Sequence, residues 1–342
     1  MSSSFRSHLA ALIIGAMGGG LAFLLGAPAP FLIGPAIAAA VAALAGVRVA
    51  VGRWTRDLTF IVLGVTMGQS VTPDVLSAAT RWPVTLVLLA VLLVTILLVT
   101  RIMLERFWHM DRTTALLSAS PGHLGYVLGL SEGMQADLAA VSIIQSFRVL
   151  SLTIAVPVAA LVIAPLPSAA EMAAPAPLAP LQFVLVLAAA GLAGWGLHRV
   201  RLPAAYLMGG LGVSLLLHGS TMVTGNMPPA VTTVAFIVLG TLIGSRFSGV
   251  SFAELRRCIG AGIAVTLVSV MLAFVFALAA SAASGLPLTA VLIAFAPGGV
   301  ETMSAMSVLL GVDPTFVAAH HISRLLMLTF IVPALVLRRP AA

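Results

Sequence analysis

The sequence predicts an all-α polytopic membrane protein: an inverted repeat of five plus five transmembrane helices with two broken or re-entrant Pro-Gly segments. Three observations favour this fold class: the composition, an internal repeat and the placement of arginine. Of the 342 residues, 61% are hydrophobic and only 8% are charged, and the mean hydropathy is +1.16. A soluble domain carries about 25% charged residues. We therefore expect the chain to lie in a lipid bilayer.

The charged residues and the cysteine count exclude several classes of protein. The basic excess of +7 comes from arginine alone, and the arginines are scattered between apolar segments. Without a cluster of arginines and aromatic residues, nucleic-acid binding is not expected. The single cysteine, Cys258, excludes an internal disulfide and a metal cluster built on cysteine. Ala27-Pro28-Ala29 resembles a signal-peptide cleavage site, but Pro30 directly after it predicts a retained first helix.

Apolar segments long enough to cross a bilayer, about 20 residues each, fall into two sets of five. They are 8–26, 30–52, 57–71, 83–104 and 137–164, then 181–198, 204–223, 230–246, 256–283 and 313–337. Between the fourth and fifth segment of each set lies a stretch interrupted by Pro-Gly, at 113–133 and 288–311. We expect a first membrane repeat at 1–165, a Pro- and Ala-rich linker at 166–180, and a second, inverted repeat at 181–342.

The two sets are copies of one pattern. At a shift of 176 residues, 121–157 aligns with 297–333 without a gap, and 11 of those 37 positions are identical. The identities include four pairs that matter below: Pro121 and Pro297, Gly122 and Gly298, Asp137 and Asp313, Arg148 and Arg324. The same shift places FIVLG at 60–64 on FIVLG at 236–240. A repeat of this extent predicts two halves with the same fold.

Arginine placement predicts how the halves are oriented, because arginine and lysine favour cytoplasmic loops. The second half carries its arginines in the connections that are nearly free of them in the first half. Opposite orientation needs an odd number of crossings per half. With five, 14 of the 17 arginines are cytoplasmic, Arg81 is outside, and Arg148 and Arg324 lie within spans. We expect a bacterial inner-membrane protein with both termini in the cytoplasm; twelve plain crossings are the alternative.

The Pro-Gly breaks form the first part of a candidate site. Irregular backbone at membrane depth is tolerated where protein buries it or where it lines an aqueous cavity. The half-helix after each break presents free N–H groups and a positive dipole end, which suit an anion. The residues concerned are Pro121, Gly122, Pro297, Gly298 and Gly299. A simple packing kink is the structural alternative.

Arg148 and Arg324 follow Asp137 and Asp313 by eleven residues. Eleven residues are about three helical turns, or ~16 Å, which places each arginine near the middle of the bilayer core. An arginine at that depth either contacts a solute or bonds the carbonyls of the facing half-helix, and one residue can do both. The two aspartates are explained as helix N-caps, with ion coupling as the other interpretation.

Three further polar residues complete the candidate site. Glu301 lies just after the second break, where Gly125 is its counterpart; it is either a carrier of coupling H⁺ or Na⁺ or a helix cap. His321 and Gln145 are equivalent in the repeat, and His321 shares a helix face with Arg324, so both are expected to line the site. We expect no metal site and no other cofactor. Met303 and Met306 are expected to pack in the protein interior.

Small residues are expected where helices pack closely. The residues concerned are Gly15, Gly18, Gly19, Gly20, Gly191, Gly194 and Gly196.

The paired PG and PGG…E…M breaks, each followed by D…R, resemble the AbrB-duplication family of bacterial membrane proteins. The resemblance covers essentially the whole chain. The first-half motif differs, with His123 in place of the second glycine and Gly125 in place of the glutamate. The family labels, ammonia monooxygenase and regulator of gene expression, are what the resemblance implies; these residues support neither mechanistically. The plan is also similar to inverted-repeat carboxylate symporters of the citrate and glutamate type.

The sequence therefore favours a secondary transporter of a small anionic, carboxylate-like solute with a midplane site between inverted repeats. Arg148, Arg324 and the half-helix N-termini would hold the anion, and Glu301 would couple transport to an ion. A membrane sensor or regulator of gene expression acting through a partner is the alternative. A metal-dependent monooxygenase is disfavoured, and we expect no enzymatic activity. Assembly as a homo-oligomer stays open.

Overall fold

The computed structural model describes residues 3–69, 82–121, 127, 131, 134, 136–163, 176–200, 202 and 204–337. Over these residues the chain is helical, with an isolated β-bridge between Pro177 and Asn226. The helices are α1 Ser3–Leu24, α2 Pro30–Leu44, α3 Arg53–Gly68, α4 Trp82–Trp108, α5 Arg112–Ala119, α6 Leu138–Ile163, α7 Pro180–Arg199, α8 Ala205–Gly219, α9 Pro229–Ser245, α10 Phe252–Ser284, α11 Leu288–Phe295, α12 Val300–Leu309 and α13 Pro314–Leu337.

Six of the described helices, α1, α4, α6, α7, α10 and α13, are long and apolar enough to cross a membrane. The all-helical, multi-pass membrane fold is therefore confirmed, while five crossings per half stays a prediction. The predicted segment 30–52 is wrong at its end, because α2 stops at Leu44. Gly46 adopts a φ of 89°, and the N–H of Val47 bonds back to the carbonyl of Ala42, which closes the helix end.

The described residues divide into two compact units. Unit 1 takes its residues from Met1–Ala79, Thr153–Gly249 and Val300–Val317, and unit 2 from Thr80–Leu152, Val250–Gly299 and Ala318–Ala342. Each unit draws helices from both predicted repeats, so this spatial division differs from the one at 1–165 and 181–342, which concerns the repeat along the sequence. Of the predicted linker, residues 164–175 lie outside the described residues.

In unit 1, the third helix of each half packs against the second helix of the other half. A Cβ at Gly64 in α3 would overlap the carbonyl oxygen of Leu207 in α8, and a Cβ at Gly240 in α9 would overlap that of Leu32 in α2. Gly64 and Gly240 end the two FIVLG segments. Corresponding glycines therefore make the same close backbone contact in both halves.

Some of the glycines that were expected at helix contacts lie against a neighbouring helix, and others do not. Gly18 of α1 faces the backbone of Gly34 in α2, Gly194 of α7 faces Tyr206 in α8, and Gly15 faces Thr241 in α9, so a Cβ at any of the three would collide. For Gly20 and Gly196 the prediction is wrong, since a Cβ there would meet no atom within 4 Å.

Equivalent helices run in opposite directions inside unit 1. Three hydrogen bonds join helix ends on one side: His8 Nδ1 with the Gly52 N–H (2.9 Å), Arg53 with His198 (3.4 Å), and the Val49 N–H with Ser248 Oγ (3.0 Å). The starts of α1 and α3 thus lie beside the ends of α7 and α9. On the other side, the N–H of Met227, before α9, donates to Gln69 Oε1, after α3 (2.9 Å). This agrees with the orientation expected from the arginines.

Unit 2 shows the same opposition. Asp137, at the start of α6, pairs with Arg257 near the start of α10 (2.8 Å), and its N–H donates to Thr114 in the first turn of α5 (2.9 Å). Arg112, at the start of α5, donates to the carbonyl of Leu335 near the end of α13 (3.4 Å). The start of α6 therefore lies on the same side as the end of α13, its counterpart in the repeat.

Candidate functional site

Each half contains a short helix that ends just before a buried proline. Helix α5 ends at Ala119 before Ser120-Pro121, and α11 ends at Phe295 before Ala296-Pro297. In the second half the helix resumes at Val300 as α12, so the predicted break within 288–311 is confirmed. Gly122 and most of the residues after it up to 133 lie outside the described residues. A re-entrant path stays a prediction.

The prolines explain why two polar side chains are needed at the breaks. In a continuous helix, the carbonyl of residue i accepts from the N–H of residue i+4. For Leu117 and Ile293 that residue is Pro121 or Pro297, which has no N–H. The carbonyl of Leu117 accepts from Gln145 Nε2 at 2.9 Å, besides a longer bond from the N–H of Ser120 at 3.3 Å. The carbonyl of Ile293 accepts from a histidine in the matching position.

That histidine is His321, whose Nε2 lies 3.0 Å from the Ile293 carbonyl oxygen. A carbonyl only accepts, so Nε2 carries the hydrogen. Gln145 and His321 both follow their proline by 24 residues and make the same contact. Both were expected to line a site, and the structure shows a specific structural role for each.

Arg148 and Arg324 bond the backbone at the same breaks. Arg148 Nη2 donates to the carbonyl of Ser120 at 3.2 Å. Arg324 Nη1 donates to the carbonyl of Ala296 at 2.7 Å, and its Nη2 donates to that of Gly298. The two arginines are only 1% and 2% exposed. The expectation that they hold the carbonyls of the facing broken segment is confirmed, and the negative end of a half-helix favours their charge. Contact with a solute stays a prediction.

Buried hydroxyl groups occur near these contacts in the first half. Ser118, Ser120 and Ser146 are at most 1% exposed, and within the part of the chain that the structure describes their Oγ atoms have no hydrogen-bond partner. Their counterparts are Ala294, Ala296 and Ile322. The sequence analysis missed this set. Comparing Ser-Ala-Ser-Pro at 118–121 with Ala-Phe-Ala-Pro at 294–297 would have found two of the three residues.

The neighbouring histidines differ in their surroundings. His320 Nε2 lies 2.7 Å from Thr85 Oγ1, and its ring packs near those of Trp82 and Phe295. His321 is fully buried, and its Nδ1 has no hydrogen-bond partner among the described residues. His320 is therefore a packed core residue, whereas His321 presents a buried acceptor.

Asp137 and Asp313 cap helices, as expected. Asp137 Oδ1 accepts from the N–H of Ala140 at 3.0 Å, and Asp313 Oδ1 accepts from that of Thr315 at 2.9 Å. Burial raises the pKa of Asp313, while the N–H groups of Phe316 and Thr315 act to lower it. A role in ion coupling stays a prediction for both.

Glu301 belongs to unit 1, where it lies in the first turn of α12 and is partly exposed. Burial lowers the pKa of the Arg246 guanidinium in the same unit, and the negative charge of Glu301 acts in the opposite direction. Glu301 thus lies within electrostatic range of a cation that sequence analysis did not connect with it. Met303 and Met306 are fully buried, in keeping with packing.

These features define a class: a helical membrane protein in which two half-helices end on buried arginines. The chain belongs to the AbrB family, whose model, described as "Transition state regulatory protein AbrB", matches residues 31–338. It is 29% identical over 300 residues to "Uncharacterized protein YhjN" of Bacillus subtilis (strain 168), covering 82% of this chain and 77% of that one. It is 27% identical over 324 residues to "Putative regulator AbrB" of Escherichia coli (strain K12), covering 90% and 89%. No solved structure matches. The resemblance drawn from the sequence is confirmed.

Proposed function

We propose that the protein is a secondary transporter of a small, carboxylate-like anion in the bacterial inner membrane, with both termini in the cytoplasm. Arg148 and Arg324 bind the anion in unit 2. The proposal includes no catalytic step and no resident cofactor.

The observation that carries the proposal is a buried guanidinium at each of two equivalent helix breaks. A buried charge costs several kcal/mol in desolvation. Neutral donors suffice for the carbonyls of such a break, as Gln145 demonstrates at Leu117. The charge of the arginines is therefore more than backbone support requires. A guanidinium is suited to a carboxylate because its N–H groups form a planar fork.

Glu301 is the proposed carrier of the coupling H⁺ or Na⁺. It lies in the first turn of a buried helix, it is partly exposed, and the first half has Gly125 at its position. Glu301→Gln should abolish the dependence of uptake on the ion gradient.

Uptake by purified protein in liposomes tests the proposal. Radiolabelled acetate, succinate and citrate are offered with an imposed proton or sodium gradient. Arg148→Gln and Arg324→Gln should each reduce uptake about tenfold or more, the size expected for losing a charged hydrogen bond. Arg53→Gln, which alters a side chain that is 67% exposed, is the control and should transport normally. Full uptake by both site variants, or none by the wild type, would refute transport of these solutes.

A regulator of gene expression is the second candidate, favoured by the printed description of the family and the name of the E. coli relative. In that case the same site would bind the anion, and a partner protein would carry the signal. Binding of a carboxylate by detergent-purified protein, without uptake into liposomes, is the outcome that supports it.

A further inference from the structure

We propose that the hydroxyl groups of Ser118 and Ser120 determine the specificity of the site, by binding a second polar group of the solute. The solute is then a carboxylate that also carries a hydroxyl or a similar hydrogen-bonding group. This inference rests on the proposed function and names the substrate class of the same site.

The two hydroxyls belong to a group whose buried oxygen atoms have no hydrogen-bond partner among the described residues; the others are those of Ser146, Ser269, Ser304 and Thr315. A buried serine or threonine in a helix usually donates to a carbonyl about one turn back. Several in this protein do so: Thr59, Thr66, Thr100, Ser131, Thr266 and Ser284. Ser118, in α5, and Ser120, directly after it, are at most 1% exposed, yet their Oγ atoms have no hydrogen-bond partner among the described residues. Because leaving a buried polar group unsatisfied is costly, such groups call for an explanation.

Their position connects them to the proposed anion site. Arg148 donates to the carbonyl of Ser120 itself, and Gln145 donates to that of Leu117, directly before Ser118. Arg148 therefore bonds the backbone of Ser120, and Ser118 lies two residues before that carbonyl and next to the one that Gln145 bonds. An anion bound to Arg148 would have hydroxyl groups within reach of its other atoms.

The second half lacks these groups, since Ala294 and Ala296 replace the two serines. There, the carbonyls of Ala296 and Gly298 both accept from Arg324. At these two positions, therefore, the first break offers the solute hydroxyls and the second break offers methyl groups. A hydroxyl both donates and accepts, so it suits a solute hydroxyl as well as a further oxygen atom.

The thermal stability of the solute-free protein gives the first test. Ser118→Ala with Ser120→Ala removes two hydroxyls for which the described part of the chain offers no hydrogen-bond partner, so unfolding should occur at the same temperature or higher. Ser284→Ala is the matched control, because Ser284 Oγ donates to the carbonyl of Ala280 at 2.6 Å. It should lower the midpoint by about 1–3 °C. A fall for the double variant comparable to that of the control would show that the hydroxyls are structural, and would overturn the inference.

Solute pairs that differ by one hydroxyl give the second test. Lactate and propionate, and malate and succinate, are titrated against purified protein, with ligand-induced stabilisation as the readout. The wild type should bind the hydroxylated member of at least one pair about tenfold or more tightly, and the double Ser→Ala variant should bind both members alike. Equal binding by the wild type, or a preference that survives in the variant, overturns the inference alone. Binding of none of the four overturns the proposed function as well.

Discussion

His321 offers a direct test of how the broken helices are held. Its Nε2 bonds the carbonyl of Ile293, where Pro297 lacks the N–H that a continuous helix would provide. We compare His321→Leu, which removes the donor with little loss of volume, with His321→Gln. Gln145 makes the same bond at the equivalent carbonyl. The repeat itself therefore shows that glutamine can replace histidine in this role.

The magnitude follows from what each change leaves unpaired. His321→Leu leaves the Ile293 carbonyl oxygen buried without its side-chain donor, which costs about 1–3 kcal/mol. His321→Gln places an amide N–H near the same oxygen, so we expect a loss below about 1 kcal/mol. The first half offers the reciprocal pair, Gln145→Leu and Gln145→His, for which the same order is expected.

The assay is thermal unfolding of the purified protein in detergent, followed by the loss of helical circular dichroism. If the glutamine variant is destabilised as much as the leucine variant, then His321 acts through ring packing. In that case, the explanation that the His321 side chain replaces the missing N–H of Pro297 is wrong.

Three further predictions concern packing, pH and a surface ion pair. Gly240→Ala should lower the free energy of unfolding by about 1–3 kcal/mol, because the added Cβ would overlap a carbonyl oxygen of α2. Gly196→Ala, whose Cβ would meet no atom within 4 Å, should leave the melting temperature unchanged or raise it in the same assay. Burial raises the pKa of Asp313, so the folded protein binds the proton of this carboxyl more tightly than the unfolded chain does. Proton binding therefore stabilises the folded state at low pH, and this stabilisation is lost as the pH rises through the folded pKa. The melting temperature of the wild type should therefore fall relative to that of Asp313→Asn from about pH 4 to pH 7, and parallel curves would contradict this. Arg257→Gln should lower the free energy of unfolding by less than about 1 kcal/mol, and by less still in high salt, because Arg257 and Asp137 are both partly exposed. A larger loss, or one that does not depend on salt, would contradict the description of this contact as a surface ion pair.

Sequence alone was sufficient for the features that depend on composition, local chain geometry or internal repetition. The low charge content required a bilayer, and the shift of 176 residues identified Arg148 with Arg324 and Gln145 with His321. Asp137 and Asp313 were predicted as helix N-caps, because capping acts within one turn. The break at Pro297 followed from the missing N–H of proline.

Tertiary structure decided which partners these residues meet. Nothing in the sequence indicates that a side chain 28 residues away satisfies the carbonyl of Leu117 or Ile293, since that contact depends on how α6 packs on α5 and α13 on α11. The same holds for the serine hydroxyls: their pattern is visible in the sequence, but whether Ser118 has a partner depends on every atom around it. Helix propensity and proline act within a few residues, whereas burial and hydrogen bonding are settled only when distant segments meet.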